Sequence, residues 1–192
     1  MKAIDVAGFE GKFRENIDPW DYTNSRFEHF KRNVLLCACG RGKHGRALEL
    51  GCAIGETTRY LAPLCLRLVA LDGSPTALVE ARRRVHSAHV RFVQARLPGA
   101  MPRGPFDLIV VSEIAYYLNV HELALLGKRL AAAIAHRGII VLLHHRRHFR
   151  DAAQSPILAH LRLRSQLSGI AIPVFEERHP RFDVVALRRR HA

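Results

Sequence analysis

The sequence predicts an α/β protein: one doubly wound sheet, mostly parallel, that closes with an antiparallel hairpin. Three observations predict it. Short apolar, β-branched runs recur at 47–50, 66–71, 90–93, 106–111 and 139–143. Most are separated by stretches with apolar residues at three-to-four spacing (57–64, 75–84, 120–135), the alternation that builds a parallel sheet with helices on both faces. Finally, 172–177 and 181–188 both read as strands, and Arg178-His179-Pro180 between them is too short for anything but a hairpin.

In chain order, Asp18-Pro19-Trp20-Asp21-Tyr22 is a turn carrying the single Trp. A helix over 25–38 follows, with Phe27, Phe30, Val34 and Leu35 on one face. Residues 1–40 are expected to form an N-terminal lid or cap, with Trp20 either covering a ligand or merely packing. Residues 41–192 form the ligand-binding domain, the whole being one compact unit. Between Val93 and Phe106 no helix is expected, because Pro98, Gly99, Pro102, Gly104 and Pro105 break any period. A long helix over 149–167, ended near Gly169, precedes the hairpin.

Composition narrows the function. At 48% hydrophobic, 24% charged and 7% aromatic, the chain is neither collagen-like, nor low-complexity, nor a Cys-rich secreted scaffold. No apolar run approaches the ~20 residues that span a bilayer, and 1–13 hold no signal-peptide core, so a cytoplasmic location is expected. The net charge of +13 suits a polyanion, but the cations are scattered and mostly Arg, so a nucleic-acid partner is disfavoured. Cys37 and Cys39 read as small core residues. No Cys or His spacing matches a metal site, and none is expected.

The sharpest local signal is Glu49-Leu50-Gly51-Cys52-Ala53-Ile54-Gly55-Glu56, a strand end, a glycine-bracketed turn and a helix start. It lacks the dinucleotide fingerprint and the P-loop lysine, and an acid at the helix start repels pyrophosphate. What fits is adenosine with a cationic tail: Glu49 to meet an ammonium group, and Asp72, ending the second strand, to accept both ribose hydroxyls.

This turn, the acid after strand two and the closing hairpin resemble class I S-adenosylmethionine-dependent methyltransferases. Asp18-Pro19-Trp20, Phe27-Glu28, Leu48 to Ala53, and Phe106 to Glu113 with Tyr116-Tyr117-Leu118 are similar, more narrowly, to the nodulation protein S family of N-methyltransferases. The resemblance implies a Rossmann-like sheet ordered three, two, one, four, five, seven, six. It implies S-adenosylmethionine as cofactor, held by Glu49, Gly51, Cys52, Ala53, Gly55, Asp72, Gly73, Arg96, Leu97 and Glu113. The acceptor it implies is the free amine of a de-N-acetylated chito-oligosaccharide or a related small molecule. One departure stands out. Arg96 occupies the place where such enzymes often carry an Asp for the adenine amino group, and Arg accepts no hydrogen bond.

For the chemistry, Glu113 after strand four is expected to bind the amine or take its proton, with Tyr117 beside it and Tyr116 lining the acceptor pocket. Either His144 or His145, ending strand five, is a second proton acceptor; adjacent strand residues face opposite ways, so only one reaches the cleft. His144 is placed in the catalytic set, and Trp20 and His145 with the substrate. Arg146 and Arg147 suit an acidic acceptor. The competing readings are an O-methyltransferase of a natural product and a non-catalytic, basic nucleic-acid-binding descendant of the fold.

Overall fold

The computed structural model describes residues 3–190; the outermost positions of the two expected segments, 1, 2, 191 and 192, lie outside the described residues. Seven strands form one sheet: β1 (His44–Leu50), β2 (Cys65–Asp72), β3 (Val90–Gln94), β4 (Phe106–Ser112), β5 (Ile134–His145), β6 (Ala171–Arg178) and β7 (Phe182–Arg189). Their order is β3-β2-β1-β4-β5-β7-β6. Every pair from β3 to β5 is parallel, while β7 runs antiparallel to both β5 and β6. The fold class and the hairpin are those the sequence predicts, and the strand order is the one the family resemblance implies.

Period-two alternation divides the core. In β4, Leu108 and Val110 face α2 (Arg26–Ala38), while Ile109 and Val111 face α5 (Val120–Ala133) and α6 (Pro156–Leu167). All four are 0–1% exposed, as a sheet covered on both faces requires. Helix α5 starts where Asn119 accepts the amides of His121 and Glu122 and the Glu122 carboxylate returns to the Asn119 amide, a capping box.

The helices depart from expectation in four places. A first helix, α1 (Val6–Glu15), is present where none was expected. The stretch 57–64 holds only one α-turn, α3 (Thr58–Leu61), then a 3-10 turn at Ala62–Leu64 containing Pro63. The expected helix at 149–167 starts later, at Pro156 after Ser155; Pro is favoured at the first helical position, where its missing N–H has no partner to lose. On α2, Phe30 is half-exposed (48%) although its ring touches Phe182. Cys37 is exposed rather than core, whereas Cys39 is buried.

Topology positions the site. Leu50 pairs with Leu71 on one side and Val111 on the other, so the loops after β1, β2 and β4 leave the sheet together. Strand order reverses between β1 and β4, the place where open α/β sheets bind ligands. Over this edge lies α1, with Glu10 accepting from the hydroxyls of Ser74 and Thr76, each at 2.6 Å. Those residues open α4 (Pro75–Arg84).

Candidate active site

Beyond Leu50 the chain turns sharply. Gly51 has φ +73, and its amide and that of Cys52 both donate to the Leu71 carbonyl at 2.8 Å. A Cβ at position 51 would lie 2.4 Å from Ile114 Cγ2, so both backbone and space demand glycine. Gly55, φ +78, is required for another reason: a Cβ there would press on Ala81 of α4 at 3.0 Å.

Asp72 faces this turn. Its Oδ2 accepts the Ala53 amide at 2.8 Å and its Oδ1 the Ser74 amide at 2.9 Å. Each oxygen keeps a lone pair for a further donor. Burial pushes its carboxyl upward, opposed by the amides of Ser74, Ala53 and Gly73.

A cavity of about 400 Å³ lies above these loops. Of the expected cofactor residues, Gly51, Ala53, Asp72, Gly73, Arg96, Leu97 and Glu113 line it. Glu49 and Cys52 do not; they line a small annex of about 50 Å³ that shares Gly51, Ala53 and Glu113 with the main cavity. Glu49 is buried and accepts the Thr58 hydroxyl at 2.6 Å, and burial pushes its carboxyl up to about 8. Gly55 lines neither space; its role is in packing.

Trp20, Tyr116, Tyr117 and His145 line the main cavity. His144 does not. It is fully buried, its Nδ1 lies 3.1 Å from His160 Nδ1, and burial holds its imidazole down to about 3. The pleat that turns His145 towards the cavity turns its neighbour into the core, so the catalytic expectation for His144 is corrected. Arg146 is likewise engaged elsewhere, with Asp183 at 2.8 Å.

Just after β4, Glu113 adopts φ +59, a conformation uncommon for a residue with a Cβ. Its Oε2 accepts the Tyr116 hydroxyl at 2.8 Å and the His145 amide at 2.9 Å, while its Oε1 accepts Lys31 Nζ at 2.9 Å. Burial would raise its carboxyl, but Lys31, by charge and by hydrogen bond, and the charge of the neighbouring imidazoles hold it at about 2. Glu113 is therefore a fixed anion at neutral pH, unsuited to taking a proton there.

Sequence reasoning missed Lys31, Glu28 and the α1 residues Phe9 and Phe13, all of which line the cavity. Phe9 and Phe13 sit against Trp20, with centroids 6.2 and 5.6 Å away. The available signal was the alternation of Phe27, Lys31, Val34 and Leu35 on one helix face, which puts a cation among core residues.

The charge of the lining runs against that of the chain. Asp5, Glu28, Asp72, Glu113 and Glu122 contribute five carboxylates against Lys31 and Arg96, in a protein carrying +13. Such a cavity attracts cations and repels phosphate. Among the described residues no cluster is built to hold a metal ion, and no helix is long and apolar enough to cross a membrane.

Comparison with known proteins bears on this geometry. The family model for Nodulation protein S (NodS) matches residues 11–149. Nodulation protein S of Rhizobium tropici is 36% identical over 127 residues, 65% of this chain and 53% of that protein. The chain thus spans about half the length of the curated relatives it matches. The crystal structure of N-methyltransferase NodS from Bradyrhizobium japonicum WM9 with S-adenosyl-L-homocysteine superposes with TM-score 0.83, at 22% identity, over 98% of this chain and 100% of that one. A protein from Pseudomonas syringae, solved as a candidate methyltransferase, gives TM-score 0.75 at 34% identity over 86% of this chain and 100% of that one.

Proposed function

Because the chain belongs to the nodulation protein S family, we propose that it is an S-adenosylmethionine-dependent methyltransferase acting on the nitrogen of an amine. The acceptor is a small molecule or the free amine of a de-N-acetylated chito-oligosaccharide. Asp72 carries the reading. Its two oxygens, each fixed by one backbone amide, leave a spaced pair of acceptors beside a glycine turn, which matches a vicinal ribose diol.

The residues present fit the cofactor. Gly51 permits the tight turn after β1, where a Cβ would meet Ile114, Arg96 can stack on the adenine ring, and the acid-rich wall suits a sulfonium. When bound, that group supplies an electrophilic methyl carbon, and the reaction is an in-line displacement by a neutral amine.

The chain's own part is positioning and charge. Glu113 stays ionised and binds the amine as a hydrogen-bond acceptor. It stabilises the positive charge that grows on nitrogen as the new bond forms. The proton leaves the methylated ammonium to solvent, since Glu113 at about 2 does not hold it. Tyr116 and the His145 amide keep the carboxylate pointed, and Trp20 with α1 excludes water from the space above.

The test is transfer of labelled methyl from S-adenosylmethionine to fully deacetylated chito-oligomers and to their N-acetylated counterparts. The deacetylated oligomers are expected to take label, and removal of label by acid hydrolysis is not. Transfer only to phenols would replace the acceptor class with an O-nucleophile. Absence of transfer, together with salt-sensitive capture of RNA, would replace the enzyme with a binding protein.

A further inference from the structure

We propose, resting on the methyltransferase reading above, that Lys31 is a positioning residue of the reaction: from α2 it holds the Glu113 carboxylate as an anion at the acceptor end of the cavity. The N-terminal helices then supply part of the working site as well as its cover.

Lys31 Nζ lies 2.9 Å from Glu113 Oε1 and 2.9 Å from the Glu28 carboxylate. Its side chain is only 8% exposed, and Lys31, Glu28 and Glu113 all line the cavity. A buried ammonium needs a partner, and one carboxylate would serve. Two leave the triad with one net negative charge. The groups around it do not cancel that charge. Tyr22, Tyr116 and Tyr117 are neutral phenols held above their ordinary range by burial, and burial lowers the imidazoles of His144 and His145. The residual charge therefore faces the ligand space, where an acceptor nitrogen gaining positive charge balances it.

The same geometry explains why the pair is not a structural strut alone. Glu113 is bound on Oε2 by two donors, the Tyr116 hydroxyl and the His145 amide. Among the described residues Lys31 alone donates to Oε1, from α2 and 82 residues away in sequence. Removing the ammonium takes away the largest charge that opposes burial of this carboxylate, and desolvation then favours its protonated form. A protonated Glu113 offers an O–H where the amine needs an acceptor.

The experiment compares wild type, Lys31→Met, Lys31→Gln and Lys31→Arg by S-adenosyl-L-homocysteine calorimetry and by the pH profile of kcat/KM. Lys31→Met is expected to bind S-adenosyl-L-homocysteine within about threefold of wild type, because Asp72 and the glycine turn are untouched. Its kcat/KM should fall by about tenfold or more at neutral pH, and its acid limb, set in wild type by protonation of the acceptor amine alone, should steepen or move to higher pH as Glu113 titrates too. Lys31→Arg should restore the wild-type profile. Lys31→Gln keeps a hydrogen bond without the charge, so it should show the same change, and it carries the test if Lys31→Met does not fold. A Lys31→Met or Lys31→Gln profile parallel to that of wild type would overturn the positioning role. Failure of wild type itself to bind S-adenosyl-L-homocysteine would overturn the cofactor reading first, and this role with it.

Discussion

Ala53 and Asp72, nineteen residues apart, are joined by a 2.8 Å hydrogen bond from the Ala53 amide to Asp72 Oδ2. That bond ties the turn after β1 to the end of β2. One carboxylate thus closes the loop and presents its remaining lone pairs to the cavity. Loop shape and ligand recognition share a residue, which is why the turn and the acid occur together in the sequence.

Asp72→Asn should separate the two tasks. Its amide oxygen can still accept one backbone N–H, while the other side presents a donor. Hydrogen bonds to charged groups contribute about 1.5–3 kcal/mol each, so S-adenosyl-L-homocysteine affinity should fall by about 10- to 100-fold. Calorimetry checks this. An unchanged affinity would remove Asp72 from the ribose site.

Two glycine substitutions should go opposite ways. Gly51→Ala meets Ile114 Cγ2 at 2.4 Å in a left-handed backbone and should cost about 1–3 kcal/mol. Gly11→Ala lies within α1, with nothing within 4 Å of the added methyl, and should stabilise by about 0.5–1 kcal/mol. Thermal melts of both variants check the pair, and equal shifts would contradict it.

Glu49 gives a pH signature. Its carboxyl stands at about 8 in the folded chain against 4.5 ordinarily. Between those values the folded chain keeps a proton that the unfolded chain has lost. The contribution to stability is therefore complete below 4.5 and fades as pH rises towards 8. Glu49→Gln should melt like wild type near pH 5, with a higher melting temperature than wild type near pH 8. Parallel melting curves for the two proteins would contradict the burial argument.

The buried His144 behaves in the opposite sense. Its imidazole stands at about 3 rather than 6.5, so its neutral form stabilises the fold above 6.5 and that contribution is lost as pH falls towards 3. His144→Gln should resist acid better over that interval. Because His144 does not line the cavity, kcat/KM at neutral pH should stay within about threefold of wild type. A larger fall would restore it to the chemistry.

Much of the frame was legible because its signals are local. Apolar runs at 66–71 and 106–111 read as strands from their own residues, and a three-residue link between β6 and β7 can only be a hairpin. The glycine turn and Asp72 were readable for the same reason. Helix α1 was not: Gly8 and Gly11 lower its propensity, and it is held by Val6 against Gly73 and Glu10 against Ser74, partners more than sixty residues away. The pleat that sends His145 rather than His144 to the cavity depends on where β5 ends. Nothing near Lys31 in the sequence announces Glu113.

The central claim is that this cavity holds an adenosyl ligand over Gly51 and against Asp72. The most direct test is titration of S-adenosyl-L-homocysteine into the wild-type protein, read by heat and by the emission of Trp20, the single tryptophan and a residue of the cavity wall. Saturable one-to-one binding in the micromolar range, about −8 kcal/mol, with a matching change in Trp20 emission is the predicted result. No heat and no change in emission up to about 1 mM ligand, weaker than about −4 kcal/mol, would contradict it.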